Sequence, residues 1–106
     1  MITFDEFKKL EIVIARVKEV EDHPNADKLY VIKIDLGDET RQIVAGIRAF
    51  YKKEELLNKE IVVLKNLEPA VIRGVESNGM LLATKDENTL SLLVPEREVK
   101  TSSLVS

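Results

Sequence analysis

An all-β fold, a five-stranded barrel with short helices, is what this sequence predicts, on three observations. Short β-branched segments recur along its 106 residues and are parted by Gly, Pro, Asn and Asp clusters. The central stretch with helical character falls between the third and fourth of these segments. The first segment changes its apolar phase part-way along, as a strongly curved strand does.

Each element follows in chain order. Thr3 and Glu6 have capping-box spacing, and Ile2 and Phe7 have the spacing of a hydrophobic staple. They predict a short helix over 4–10, with Phe4 and Phe7 as its core residues. Residues 12–20 are rich in Val and Ile and read as a strand. Apolar residues there occupy both parities and then settle on Val17 and Val20, out of phase, which predicts a bulge. Residues 22–27, including His23 and Pro24, form a turn cluster. Residues 29–36 alternate, with Tyr30, Ile32, Ile34 and Leu36 on one face, so Tyr30 belongs to the core. Residues 37–40 make a hairpin turn, and 41–45 return antiparallel. A helical turn or two falls within 50–58. A fourth strand spans 60–64. Residues 66–78 contain Pro69 and Gly74 and read as irregular or weakly extended. A fifth strand spans 79–84, a turn 85–88, and a last apolar strand 89–94. Five strands with a short helix between the third and fourth match the OB-fold, whose oligonucleotide surface lies on strands 2–3 and on the loops joining strands 1–2 and 4–5. The barrel occupies residues 1–84, and 85–106 form a C-terminal β extension.

Composition narrows the chemistry. There is no cysteine and a single histidine, His23. Disulfides, thiolate nucleophiles, zinc–thiolate sites and a His-based metal cluster are excluded together, and no cofactor is implied. Asp35 with Asp38, and Glu54 with Glu55, sit in turn or surface patterns, and no acid, base and nucleophile set stands out, so the chain reads as a non-enzyme. No apolar run approaches the length of a membrane span. The N-terminus is acidic early and lacks an apolar signal core, which points to a cytoplasmic protein. The formal net charge is −3. A nucleic acid would have to be met by a local basic face on an acidic body, with modest and salt-sensitive affinity.

Three segments carry chemistry. The first is 23–30, where Pro24, Asn25 and Asp27 build a turn and Lys28 emerges at the strand start, within reach of a phosphate. The second is 41–47, with Arg41 at a strand start and Gly46 where another backbone could approach. The third is 66–80, which sets Asn66, Ser77 and Asn78 beside the cation Arg73 and the flexible apolar Met80. Such a set can contact phosphate, ribose and base faces without a sequence code. Lys and Ser/Thr do not follow Gly79, so it is not a P-loop. Aromatic residues number five. That scarcity argues against base stacking on an aromatic platform and for recognition of folded RNA by shape and backbone.

Taken in order, these segments resemble the tRNA-binding domain family. Its members include C-terminal domains of methionyl-tRNA synthetases, stand-alone tRNA-binding proteins and beta subunits of that enzyme. The family pattern His-Pro-x-Ala-Asp-Lys-Leu-Tyr is matched by 23–30, and Arg-x-Ile-Val-x-Gly-Ile/Leu by 41–47. Asn-Leu-Lys-Pro is matched by 66–69, and Arg-Gly-x-x-Ser-x-Gly-Met by 73–80. The resemblance covers about residues 5–84. It implies an OB-fold that grips the outer elbow of tRNA with little sequence preference, using Lys28, Arg41, Asn66, Arg73, Ser77 and Met80. Asn66 and Ser77 would donate to phosphate or ribose, and Lys28, Arg41 and Arg73 would supply charge. It also implies a homodimer formed through the C-terminal extension, possible association with methionyl-tRNA synthetase, and no catalysis. A sixth strand sealing its own barrel is the alternative use of that extension. The sequence departs from the pattern at Glu68, where Lys is usual, and at Val71, where a cation is common. Those departures favour a second reading, a protein-interaction or chaperone-like dimer of the same fold with weak RNA affinity.

Overall fold

Thr3 opens the first helix as its spacing predicts. In the computed structural model, which describes residues 1–106, Glu6 N–H donates to the Thr3 hydroxyl and Thr3 N–H donates to the Glu6 carboxylate. Helix α1 runs Phe4–Lys8 and buries no residue. The expected core role of its aromatics is corrected here: Phe4 is 72% exposed and Phe7 is half-buried. This five-residue helix on the outside of the barrel faces only the C-terminal residues Leu104 and Val105, too little surface to cover an apolar stripe.

Strand β1, Ile12–Asp22, serves two partners. Its first half pairs with β4 (Glu60–Leu64) and its second half with β2 (Tyr30–Asp35), both antiparallel. Between Val17 and Glu19 the register advances two residues on β1 for one on β2. Lys18 is therefore the extra residue of the bulge that the phase change predicts. The bulge bends β1 so that one strand can serve both walls of the barrel. Strand β3, Thr40–Ala45, returns antiparallel to β2, and helix α2, Lys53–Leu56, lies between β3 and β4.

The expectation for 66–78 is also corrected. This stretch holds an ordered hairpin of β5 (Ala70–Ile72) and β6 (Val75–Ser77). Its two-residue turn is Arg73–Gly74, with φ of 51° and 89°. Two consecutive positive φ values are the mark of a type I′ turn, whose twist suits a tight hairpin. The predicted fifth strand splits in two. Strand β7, Met80–Leu81, pairs with β4, and β8, Ala83–Lys85, pairs with β9, Leu90–Leu92. The β8–β9 turn is closed by Asp86, whose carboxylate accepts from the N–H groups of Asn88 and Thr89. The Asn88 and then the Thr89 bond hold the Asp86 carboxyl below its usual range.

The main sheet has the order β3-β2-β1-β4-β7, an OB-like barrel that is nearly closed. Fourteen buried residues fill it, among them Val17, Ile32, Ile34, Ile43, Ile61 and Val63. The seam between β3 and β7 is bridged by Asn78 N–H donating to Gln42 O at 2.8 Å. Gly79 sits in that seam at φ 133°, where an added Cβ would meet Leu64 O at 3.4 Å. The C-terminal extension folds back on its own barrel. Ser102 N–H donates to Ile14 O, Ile14 N–H to Ser103 O, and Val105 N–H to Ile12 O. That edge of β1 is free because β2 pairs only from Arg16 onward.

Candidate nucleic-acid interface

Two connections converge on the β3 side of the barrel. The loop before β2 begins with His23, which is 4% exposed. Its Nδ1 accepts from Asn25 N–H at 2.9 Å, and its Nε2 lies 2.9 Å from Ile72 O at the end of β5. Asn25 Nδ2 donates to Arg73 O at 3.3 Å, and Arg73 Nη2 donates to Asn25 O at 3.2 Å. The hairpin tip is thus tied to a loop about fifty residues earlier in the chain. Its base is tied to β3. Gln42 Nε2 donates to Glu76 O, and Val44 N–H donates to the Ser77 hydroxyl, both at 2.9 Å.

Between loop and tip lies an open cleft of about 420 Å³ lined by Asn25, Ala26, Asp27, Lys28, Leu29 and Arg73. Lys28 and Arg73, two of the cations singled out from sequence, meet there. Both side chains are exposed. Asp27 in the lining offsets part of their charge. The polar lining and open mouth suit a solvated anionic backbone rather than a compact apolar ligand.

The other residues lie further along the same seam and are engaged with the protein itself. Arg41 is half-buried, pairs with Glu39 and donates from Nη1 to Lys65 O at 2.6 Å. Asn66 accepts from Glu11 N–H and donates to Lys9 O, clamping the chain after α1 to the exit of β4. Ser77 is 4% exposed. Its hydroxyl accepts from Val44 N–H and donates to Gly79 O, so it is enclosed within the barrel seam. Met80 is exposed on β7, opposite Leu64. The seam therefore has a cationic end, Lys28 with Arg73, and a braced end, Arg41 with Asn66, beside the exposed Met80. Val71, 70% exposed on the hairpin, faces solvent where a cation would have extended the basic strip. Lys33, a cation that the sequence reading did not single out, lies on β2. It pairs across from Gln42 and projects outward, because Ile32 and Ile34 on either side are buried. Strand alternation carried that signal.

With this geometry in view, a family model described as "Putative tRNA binding domain" matches residues 12–103. The chain belongs to the tRNA-binding domain family. It is 57% identical over 99 residues to the methionine–tRNA ligase of Thermococcus kodakarensis, a match spanning 93% of this chain and 13% of that one. It is 51% identical over 105 residues to the methionine–tRNA ligase of Thermotoga maritima, spanning 99% and 17% respectively. The chain thus spans about one-seventh of the length of such relatives. Among solved structures it is similar to the MetRS related protein from Pyrococcus horikoshii, with TM-score 0.93 and 34% identity over 100% of this chain and 98% of that one. It is similar also to the CsaA chaperone protein from Picrophilus torridus, with TM-score 0.92 and 32% identity over the full length of both.

Proposed function

We propose that this family member binds folded tRNA without catalysing a reaction, gripping phosphates from the cleft between the loop before β2 and the β5–β6 hairpin. The observation that carries the reading is the meeting of Lys28 and Arg73 at one polar cleft, in a chain of this family. Lys28 and Arg73 supply the charge directly. Arg41 adds field from the other end of the seam, Met80 offers an apolar face to a ribose or base, and Asn66 and Ser77 hold the seam in shape. The protein acts alone or as a beta subunit of methionyl-tRNA synthetase, in the cytoplasm, raising the local tRNA concentration.

The homodimer belongs to the same reading. An apolar cleft of about 210 Å³ is lined by Phe4, Phe7, Leu10, Leu104 and Val105 together with Lys8 and Ser106. Phe4, Leu10 and Leu104 are exposed around it. A second copy covering this cleft would bring two tRNA sites together and raise avidity.

The test is a gel-shift titration with folded tRNA at two salt concentrations, against linear RNA and duplex DNA as competitors. Preferential tRNA binding that weakens with salt and drops in Arg73→Ala supports the reading. No binding at roughly tens of micromolar protein in low salt would sink the free-standing version and leave a partner-dependent or protein-binding role. A second reading, a chaperone-like dimer, is favoured by one observation, the full-length likeness to a CsaA chaperone protein. Capture of unfolded clients without tRNA would favour it.

A further inference from the structure

His23 and Ser77 are the two buried polar residues of the chain. The Ser77 hydroxyl closes the barrel seam. The His23 ring instead joins two surface elements, the loop before β2 and the β5–β6 hairpin. Its Nδ1 accepts from the Asn25 N–H, so the ring hydrogen belongs on Nε2, which donates to Ile72 O. The neutral ring is fully satisfied in that single orientation. Ile72 immediately precedes the Arg73–Gly74 turn, and Asn25 is the residue that shares two hydrogen bonds with Arg73.

Strands of three residues are too short to hold a hairpin by themselves, so its position depends on where it docks. The base is fixed by Gln42 and Ser77 against β3. The tip is fixed by loop 23–29 alone, through His23 and the Asn25–Arg73 pair. We propose that His23 is a positioning residue for RNA binding: it joins the loop to the hairpin tip and so sets Arg73 opposite Lys28 across the cleft. This rests on the tRNA-binding reading above. His23 itself is enclosed and touches no RNA.

His23→Asn and His23→Gln separate the two ring bonds. The Asn carbonyl still accepts from the Asn25 N–H, as in an Asx turn, but cannot reach Ile72. The longer Gln amide reaches Ile72 O. We would titrate tRNA against wild type, both variants, Arg73→Ala and the double variant His23→Asn/Arg73→Ala, over a series of salt concentrations. Hydrogen exchange of residues 70–77 and thermal melts would be recorded beside them. The expected result is that His23→Asn melts as a folded protein and exchanges faster only in the hairpin. It binds tRNA roughly three- to tenfold more weakly, with a salt slope lower by about one phosphate contact. Arg73→Ala adds little on top of it, and His23→Gln restores affinity and slope. Additive losses from His23→Asn and Arg73→Ala would overturn the proposal, as would a wild-type slope in His23→Asn. Global unfolding of His23→Asn would also overturn it, because the ring would then support the whole fold rather than the tip. If wild type binds no tRNA, the RNA reading falls on its own, and exchange in the hairpin still decides whether His23 positions it.

Discussion

Strand β2 and the β5–β6 hairpin both flank β3, yet different interactions hold them in place. In β2, Ile32 and Ile34 are fully enclosed and pair along a six-residue ladder with β3. In the hairpin, Val71 faces solvent and Ile72 and Val75 are only half-buried. The hairpin is held by separate hydrogen bonds from His23, Asn25, Gln42 and Val44. Apolar burial is non-directional and spread over many contacts. A hydrogen bond stabilises one geometry, and it is lost whole when one partner goes. The barrel can therefore tolerate changes on the hairpin, while the hairpin's position depends on a few polar atoms. A hairpin held this way can change without endangering the barrel that carries it.

Predictions that test this contrast run from large effects to small. Ile32→Ala removes a fully buried side chain from the sheet and should cost about 2–5 kcal/mol in denaturant unfolding. Its tRNA affinity should remain near wild type wherever the protein is folded. Ser77→Ala lies at the junction of the two regions. It removes the acceptor of the Val44 N–H within the seam and should cost about 1–3 kcal/mol, with faster exchange at Val44. Arg73→Ala should leave stability within about 0.5 kcal/mol of wild type. Its tRNA affinity should fall several-fold and its salt slope by about one. If stability fell as far as in Ile32→Ala, the division between fold and strip would fail. The smallest effect belongs to Asp86. Its folded carboxyl lies below the usual range because Asn88 and Thr89 N–H groups bond the charged form. That stabilisation is present above the unfolded pKa and is lost as pH falls through the folded value. Acidification should lower the protection of the Asn88 and Thr89 amides, relative to their intrinsic exchange at each pH, before the barrel opens, and unchanged protection would show that the turn does not need the charge.

Some of this was legible in the residues alone. The bulge at Lys18 was readable because an extra residue inverts the alternation of every apolar side chain after it. The cap of α1 was readable because its partners lie three residues apart. The hairpin at 70–77 was not. Its strands are too short for alternation to register, and Pro69 and Gly74 read as loop residues until the φ values at Arg73 and Gly74 show a turn that pairs. Phe4 was misplaced because a five-residue helix shows an apolar residue without showing whether anything covers it.

The six candidate contacts divide the same way. Their residue types and order named the family, which the match over residues 12–103 shows. The identity of each partner was out of reach, since Arg41 bonds a carbonyl 24 residues away, Asn66 bonds groups 55 and 57 away, and Arg73 bonds one 48 away. By itself the sequence determined the first four strands, the bulge and the capped helix, because those rest on local periodicity and short spacings, and its motifs carried the resemblance to the family. Only the tertiary structure decided that Lys28 and Arg73 share a cleft, that Asn66 and Ser77 serve as internal braces, and that His23 joins loop to hairpin. Those outcomes depend on which distant backbone groups the closing barrel brings within hydrogen-bond reach, and no local pattern encodes that.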